Sequence, residues 1–543
     1  MSSVLLIVLD GFGVAGPGPG NPISLSKIPS INGFLRMYPT TQLKASGESV
    51  GLPANEVGNT EVGHLNMGAG KVIYQSLPRI NLSIGDGSFY KNEVLLEGID
   101  HAKKQGGNLH LLGLIGAGTV HASTEHLFTL LSLCKQQNIK NIFIHAITDG
   151  RDSPPQSASE FLKTVDAKCN EFGVGKIASV MGRYYAMDRD KRWERVEKAY
   201  KCLTEGVGNK AATWEEVIKK SYDTKVTDEF ILPTNIVQNN DPITLIKSGD
   251  TVIFYNYRID RPRELTRAFT LDDFARDANM VSYDPYATKY FKKHLNENEI
   301  VMQPPFDRGE KVKDLLFITM TEYEKDLPVK IAFPPHVVPM PLGRVLSEHQ
   351  MSQLRVTESE KERFVTFYFN GLRENAFPME DHLIIPSPKV PTYNQKPEMS
   401  APEMTDTLIK KVLENKYKFI LCNFANTDMV GHTGDIKACI KAVETVDICL
   451  AKVIESALKM EYTVLITADH GNVEEKLDAK GGISTEHTDN PVPFIAISNK
   501  LKGKPIRLQT GILADIAPTI LKLMGISIPQ DMTGKNLLED IDF

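Results

Sequence analysis

Acidic and histidine-bearing turns stand directly behind apolar runs at opposite ends of this chain, and that split constrains the fold more than any other feature. Val4 to Leu9 is an unbroken apolar run that ends in Asp10. Far downstream, Phe419 to Phe424 leads through Ala425-Asn426-Thr427 into Asp428 and on to His432, and Thr463 to Thr467 leads into Ala468-Asp469-His470-Gly471. In parallel α/β sheets, ligands gather beyond the carboxyl ends of strands. If the three turns meet there, the middle of the chain is an insertion into a domain built by its two ends.

A fourth piece, His487, stands just before the apolar run Val492 to Ile497. The donor set is then Asp10, Asp428 and Asp469 with His432, His470 and His487. Mixed carboxylate and imidazole suits Mn²⁺, Zn²⁺ or Co²⁺. Six side chains are too many for one tetrahedral ion. They match two ions sharing a nucleophile, an arrangement that can hold both the attacking and the leaving oxygen of a displacement. Each motif has a plainer reading, since Asp428 can cap a helix and His432 can be a surface residue. Their recurrence on separate strand ends is hard to explain as packing.

Further short apolar runs read as strands: Asn108 to Ile115, Asn141 to Ile147, Thr251 to Tyr255 and Leu315 to Thr319. Helical patterns lie between, at Ser157 to Phe172 and Ile436 to Leu458. The alternation predicts an α/β protein with parallel sheets covered on both faces. Apolar residues make up 41% of the 543, enough for a sizeable core and against wholesale disorder. Lys and Arg number 62 against 68 Asp and Glu, so 62 − 68 = −6, which gives no electrostatic footprint for a nucleic-acid binder. No run has the ~18 apolar residues of a membrane helix. Met1-Ser2-Ser3 offers no basic start for a signal peptide. The six cysteines form no C-x-x-C pair and read as small core residues in a reducing compartment. A cytoplasmic monomer acting on a small molecule is expected, with no nucleic-acid or membrane partner.

Gly11-Phe12-Gly13-Val14-Ala15-Gly16 matches a dinucleotide fingerprint in form only. That motif must open a helix, and Pro17, Pro19 and Pro22 follow, so no helix is expected to start in the loop. Thr60, in Gly58-Asn59-Thr60-Glu61-Val62-Gly63-His64, precedes a candidate helix. It is either a nucleophile at a helix N-terminus or simply the N-cap, and the residues leave both open. In the middle of the chain, Arg151, Arg183, Arg189, Arg258 and Arg261 occur in Thr148-Asp149-Gly150-Arg151-Asp152, Gly182 to Asp190 and Asn256 to Arg261. Arginine forks bind phosphate and carboxylate, so the set points to a small anion, against surface pairing with neighbouring aspartates. His121 is a lone histidine.

The motifs GNTEVGHLNMGAG, TDGRDSPP, MGRYYAMDRDKRWERV, LGRVLSEHQMSQLRVTESEK, ANTDMVGHTGD and TADHGN resemble the cofactor-independent phosphoglycerate mutases of the alkaline phosphatase superfamily. The resemblance runs from Leu5 to Thr519. It implies a phosphatase-like domain over residues 1–76 and 313–543 and an inserted transferase domain over 77–312. It implies two Mn²⁺ ions, with Co²⁺ or Zn²⁺ as alternatives. One would be held by Asp428, His432 and His487, the other by Asp10, Asp469, His470 and the hydroxyl of Thr60. The substrate shell it implies is His121, Arg151, Asp152, Arg183, Arg189, Arg258, Arg261 and Lys361. The implied reaction interconverts 3- and 2-phosphoglycerate, in glycolysis and gluconeogenesis, without added 2,3-bisphosphoglycerate. Position 60 takes the phosphoryl group, Asp152 shuttles protons, and the domains close over the retained glycerate. This chain departs from the family at two points: threonine replaces serine at position 60, and GAGTVHAS precedes and includes His121 where SDGGVHSH is usual. A phosphatase or phosphodiesterase on the same scaffold is the competing reading.

Overall fold

The computed structural model describes residues 2–280, 303–335, 337–539 and 541. The polar stretch 284–310, which carries Pro304 and Pro305 and reads as a connector, lies largely outside them. The chain divides into two compact units, Met1–Pro78 with His336–Phe543, and Arg79–Pro335.

The first unit is built on an eight-stranded sheet. Its order is Glu380–Ile385, Gln353–Glu358, Phe419–Phe424, Val4–Leu9, Thr463–Thr467, Val492–Ile497, Thr40–Lys44 and Gly511–Ile512. The first five strands run parallel, and Val492–Ile497 is antiparallel to both neighbours. Val4–Leu9 is central, with Val4 in register with both Phe419 and Thr463. All six of its side chains are buried, as the continuous apolar run requires when helices cover both faces. One cover is the 24-residue helix Ile436–Lys459, which buries Cys439, Val443, Val446, Leu450 and Val453 along one stripe. The Asp435 side chain caps its N-terminus by accepting from Ala438 N.

The second unit has its own largely parallel sheet. Its order is Lys330–Phe333, Leu316–Thr321, Thr251–Phe254, Leu109–Ile115, Ile142–Thr148, Lys176–Gly182, Thr234–Gln238 and Asn209–Ala211, with Asp241–Pro242 beside Thr234–Gln238. This corrects the expected boundary at 312/313. Leu316 pairs with Thr251 and Ile318 with Lys330, so the strands Leu316–Thr321 and Lys330–Phe333 extend the inserted unit's sheet, and that unit runs to Pro335. The loop at 16–22 also needs correcting. A single helical turn, Pro22–Leu25, starts on its last proline with Asn21 as cap. Proline is tolerated at the first helical position because its missing N–H has no helical partner there. All six cysteines are buried and unpaired.

Candidate active site

Four neighbouring parallel strands of the first unit end on one rim. Val4–Leu9 delivers Asp10, Phe419–Phe424 delivers Asp428 and His432 through the helix Asn426–Gly431, and Thr463–Thr467 delivers Asp469 and His470. Gln353–Glu358 delivers Lys361 on the turn Ser359–Lys361. Asp10 and Asp469 stay aligned past the strand ends, where Gly11 N donates to Asp469 Oδ1 at 3.1 Å.

Three overlapping groups of donor atoms converge, one of them made by Asp10, His64 and Asp469. Asp428 Oδ1 lies 3.2 Å from His432 Nε2 and 3.3 Å from His487 Nε2. The Nδ1 atoms of these rings face Thr485 O at 2.9 Å and Gly58 O at 2.8 Å. A ring that donates from Nδ1 keeps its Nε2 lone pair for a metal. His470 behaves alike, with Nδ1 at 3.1 Å from Gly471 O and Nε2 at 3.6 Å from Asp10 Oδ1. Asp428, His432 and His487 form one compact donor group, and Asp10, Asp428 and His470 another.

Thr60 is the first residue of the helix Thr60–Ala69, and its cap is Asn59, whose side chain accepts from Val62 N at 3.0 Å. The open choice at position 60 therefore falls against the cap, and the hydroxyl is released for other contacts. Thr60 Oγ1 lies 3.0 Å from His470 Nε2, 3.0 Å from Lys361 Nζ and 3.4 Å from Asp10 Oδ1. Lys361 Nζ also donates to Asp10 Oδ1 and Asp428 Oδ2, each at 2.6 Å.

The electrostatics follow from this crowding. Burial opposes ionisation of Asp428, but Lys361, His432 and His487 outweigh it and hold the carboxyl well below its usual range. Asp469 is depressed in the same way, against burial, by His470, His64 and Lys361. Burial works against the His470 cation, yet Asp469, Asp10 and Asp428 lift it to about 9. Hydrogen bonding to Asp428 raises His432. Asp469 Oδ2 is buried with no hydrogen-bond partner, as a carboxylate oxygen kept for a cation would be. The donor chemistry fits divalent metals of the manganese–cobalt–zinc kind.

The second unit repeats the rim motif. His121 follows Leu109–Ile115, Arg151 and Asp152 follow Ile142–Thr148, Arg183 follows Lys176–Gly182, and Arg258 and Arg261 follow Thr251–Phe254. Buried Arg183 donates to Asp149 at 2.5 Å and Asp152 at 2.6 Å from Nη1, and to His121 Nε2 at 2.9 Å from Nη2. Burial and Arg183 push His121 down to about 4, so the ring is neutral at pH 7. Its Nδ1 carries the proton and has no hydrogen-bond partner. Arg189 and Arg258 both donate to Asp260, at 3.1 and 3.0 Å. Burial, with Arg183 and Arg189 nearby, lowers Arg261, whose Nη1 reaches Met187 O at 3.2 Å. Arg151 is half exposed and 3.8 Å from Glu229. The arginine set is thus gathered, and the surface-pairing alternative describes only part of it.

Sequence reasoning did not single out several supporting residues. Asp149 organises Arg183, Ser153 and the backbone at Asp152. Asn423 donates to Asp10 Oδ2 at 2.8 Å and contacts His64 Nε2 at 3.1 Å, while Nδ1 of His64 faces Thr60 O at 3.0 Å. Asn472 donates to Asp428 Oδ1 at 2.8 Å. Asn423 is a polar residue inside an apolar strand, which is a legible signal. The others stand within or beside the motifs and carry no separate mark.

Metal-type donors on the carboxyl rim of a parallel-rich sheet, beside a hydroxyl at a helix start, define an alkaline-phosphatase-like α/β enzyme. Residues 80–325 match the family model for the BPG-independent PGAM N-terminus, and residues 347–500 match that for type I phosphodiesterase / nucleotide pyrophosphatase. The 2,3-bisphosphoglycerate-independent phosphoglycerate mutase of Moorella thermoacetica is 45% identical over 535 residues, 98% of each chain. That of Clostridium kluyveri is 48% identical over 538 residues, 99% of each chain. A Leishmania mexicana phosphoglycerate mutase structure at low cobalt concentration superposes with a TM-score of 0.55 at 29% identity, covering 98% of this chain and 97% of that one. The chain belongs to the 2,3-bisphosphoglycerate-independent phosphoglycerate mutase family and is an isomerase.

Proposed function

We propose that this enzyme interconverts 3- and 2-phosphoglycerate through a phosphothreonine at Thr60, beside two divalent ions. Asp428, His432 and His487 would hold one ion; Asp10, Asp469, His470 and Thr60 would hold the other. Mn²⁺ is the proposed metal, and the cobalt in the Leishmania structure's description fits the same donor chemistry. Such ions supply Lewis acidity, lowering the pKa of a hydroxyl and offsetting phosphoryl charge.

The carrying observation is the position of Thr60 Oγ1, within 3.0 Å of both His470 Nε2 and Lys361 Nζ, at the start of a helix. A helix N-terminus favours the negative charge that develops there. Thr60 Oγ1 attacks phosphorus, the substrate's P–O bond breaks, and the proton given up by the Thr60 hydroxyl balances the one taken up by the departing glycerate oxygen. The phosphoryl group then returns from Thr60 to the other glycerate hydroxyl. Asp152 moves the hydroxyl protons: although burial raises its pKa, Arg183 outweighs burial and keeps it a carboxylate able to accept one. Arg258 and Arg261 hold phosphoryl oxygens, with Arg151, Arg183, Arg189 and the free Nδ1–H of His121 completing the anion shell. Lys361 offsets charge on the transferring group.

The test is phosphorus NMR of the purified protein with Mn²⁺ and 3-phosphoglycerate, without 2,3-bisphosphoglycerate. The expected product is 2-phosphoglycerate. Inorganic phosphate as the main product would assign the phosphatase reading instead.

A further inference from the structure

Lys476 has no exposed surface, and its ammonium meets only uncharged hydrogen-bond acceptors. Nζ donates to Asn472 Oδ1, to Gly431 O at 3.3 Å and to Glu486 O at 3.3 Å. An ammonium has three protons, so every donor is used. Gly431 immediately precedes His432, and Glu486 immediately precedes His487. Asn472 passes the contact on to the third member, since Nδ2 donates to Asp428 Oδ1 at 2.8 Å and faces Asp428 O at 3.4 Å. Because Oδ1 of Asn472 faces the ammonium, its amide must present N–H, not oxygen, to the carboxylate. Among the described residues, none of the Lys476 hydrogen bonds reaches Asp10, Asp469 or His470.

We propose that Lys476 is a positioning residue chiefly for the ion of Asp428, His432 and His487: it fixes the backbone before both histidines and, through Asn472, the shared carboxylate of Asp428. The inference rests on the two-ion reading above. The sign of the effect separates alignment from charge. A cation this near a metal site repels the metal, so removing charge alone would tighten binding. Removing alignment weakens it, and lost support of metal ligands typically costs roughly 10- to 100-fold in affinity.

The test titrates Mn²⁺ into the metal-stripped full-length chain and counts free ion by electron paramagnetic resonance. Wild type should bind two ions. In Lys476→Met, one ion should weaken by roughly 10- to 100-fold while the other stays within about threefold. Activity should be lost at limiting Mn²⁺ and largely recovered at saturation. Asn472→Leu keeps both carbonyl contacts of Lys476 and should weaken the same ion by less; it decides the matter if Lys476→Met does not fold. Two ions in wild type with equal weakening, tightening or no change in the variants would overturn the role of Lys476. Fewer than two ions in wild type would overturn the two-ion reading, and this proposal with it.

Discussion

Threonine differs from serine at position 60 by a methyl group, which limits χ1 to few rotamers. With His470 and Lys361 each 3.0 Å from Oγ1, that stiffness holds the hydroxyl where the donors converge. Thr60→Ala should lower kcat by at least ~10³-fold and abolish a phosphothreonine detectable by mass spectrometry after an acid quench. Thr60→Ser should restore turnover and carry a phosphoserine in its place. Metal affinity should rise with pH. In the metal-free protein the surrounding carboxylates lift His470 to about 9 and Asp428 raises His432, so at lower pH each protonated ring must release a proton before it can bind. Calorimetry of Mn²⁺ binding in buffers of different ionisation enthalpy should show proton release near pH 7; a buffer-independent heat would contradict this. At this scale the sequence was most legible: Asp10, Asp469 and His470 stand directly behind apolar strands, where a polar side chain has little to pack against, while Asp428, His432 and His487 were legible only as acidic and histidine residues clustered near such strands. Lys361 was accessible only through family resemblance, and Lys476 not at all, because two of its three partners are backbone carbonyls, which leave no mark in a sequence.

Elements show where pattern reading succeeds and where it stops. All eight apolar runs named above form strands, with ends shifted by at most two residues. Gln353–Glu358 escaped because it is buried yet carries Gln, Arg, Thr and Glu. Arg355 lies between Gln353 at 2.8 Å, Asn370 at 3.3 Å and Glu380 at 3.4 Å, partners that a local pattern cannot reveal. The helix Thr60–Ala69 is tied to the rim in two ways. Its cap is Asn59, and Asn59→Ala should cost about 1 kcal/mol of unfolding free energy in a urea melt. Gly63 lies so close to the Asp469 backbone that a Cβ there would sit 2.6 Å from Asp469 O. Gly63→Ala should therefore push the helix off the rim and reduce Mn²⁺ affinity roughly tenfold or more while the secondary structure, followed by circular dichroism, persists.

On the scale of the whole molecule, the split of the first unit was readable from its ligands, whereas the return point was not. Leu316–Thr321 is as apolar as a strand of either sheet, and only its pairing with Thr251–Phe254 assigns it. The two units should answer different agents. Mn²⁺ should slow amide exchange mainly within 1–78 and 336–543, measured by mass spectrometry. Acid should weaken the second unit, where burial pushes both His121 and His126 down to about 4. Unfolded, these rings take up protons near 6.5 while the folded unit refuses them, so its stability should fall as pH drops from 6.5 toward 4. Urea melts at pH 7 and pH 5 that coincide for this unit would contradict the assignment.

The order of the donors along the chain has a consequence for biosynthesis. Asp10 leaves the ribosome long before its neighbours Asp469 and His470, and the His487 ring stacked on His470, which lie more than 450 residues downstream. A nascent or prematurely terminated polypeptide therefore lacks the complete cage, however well its early strands have folded.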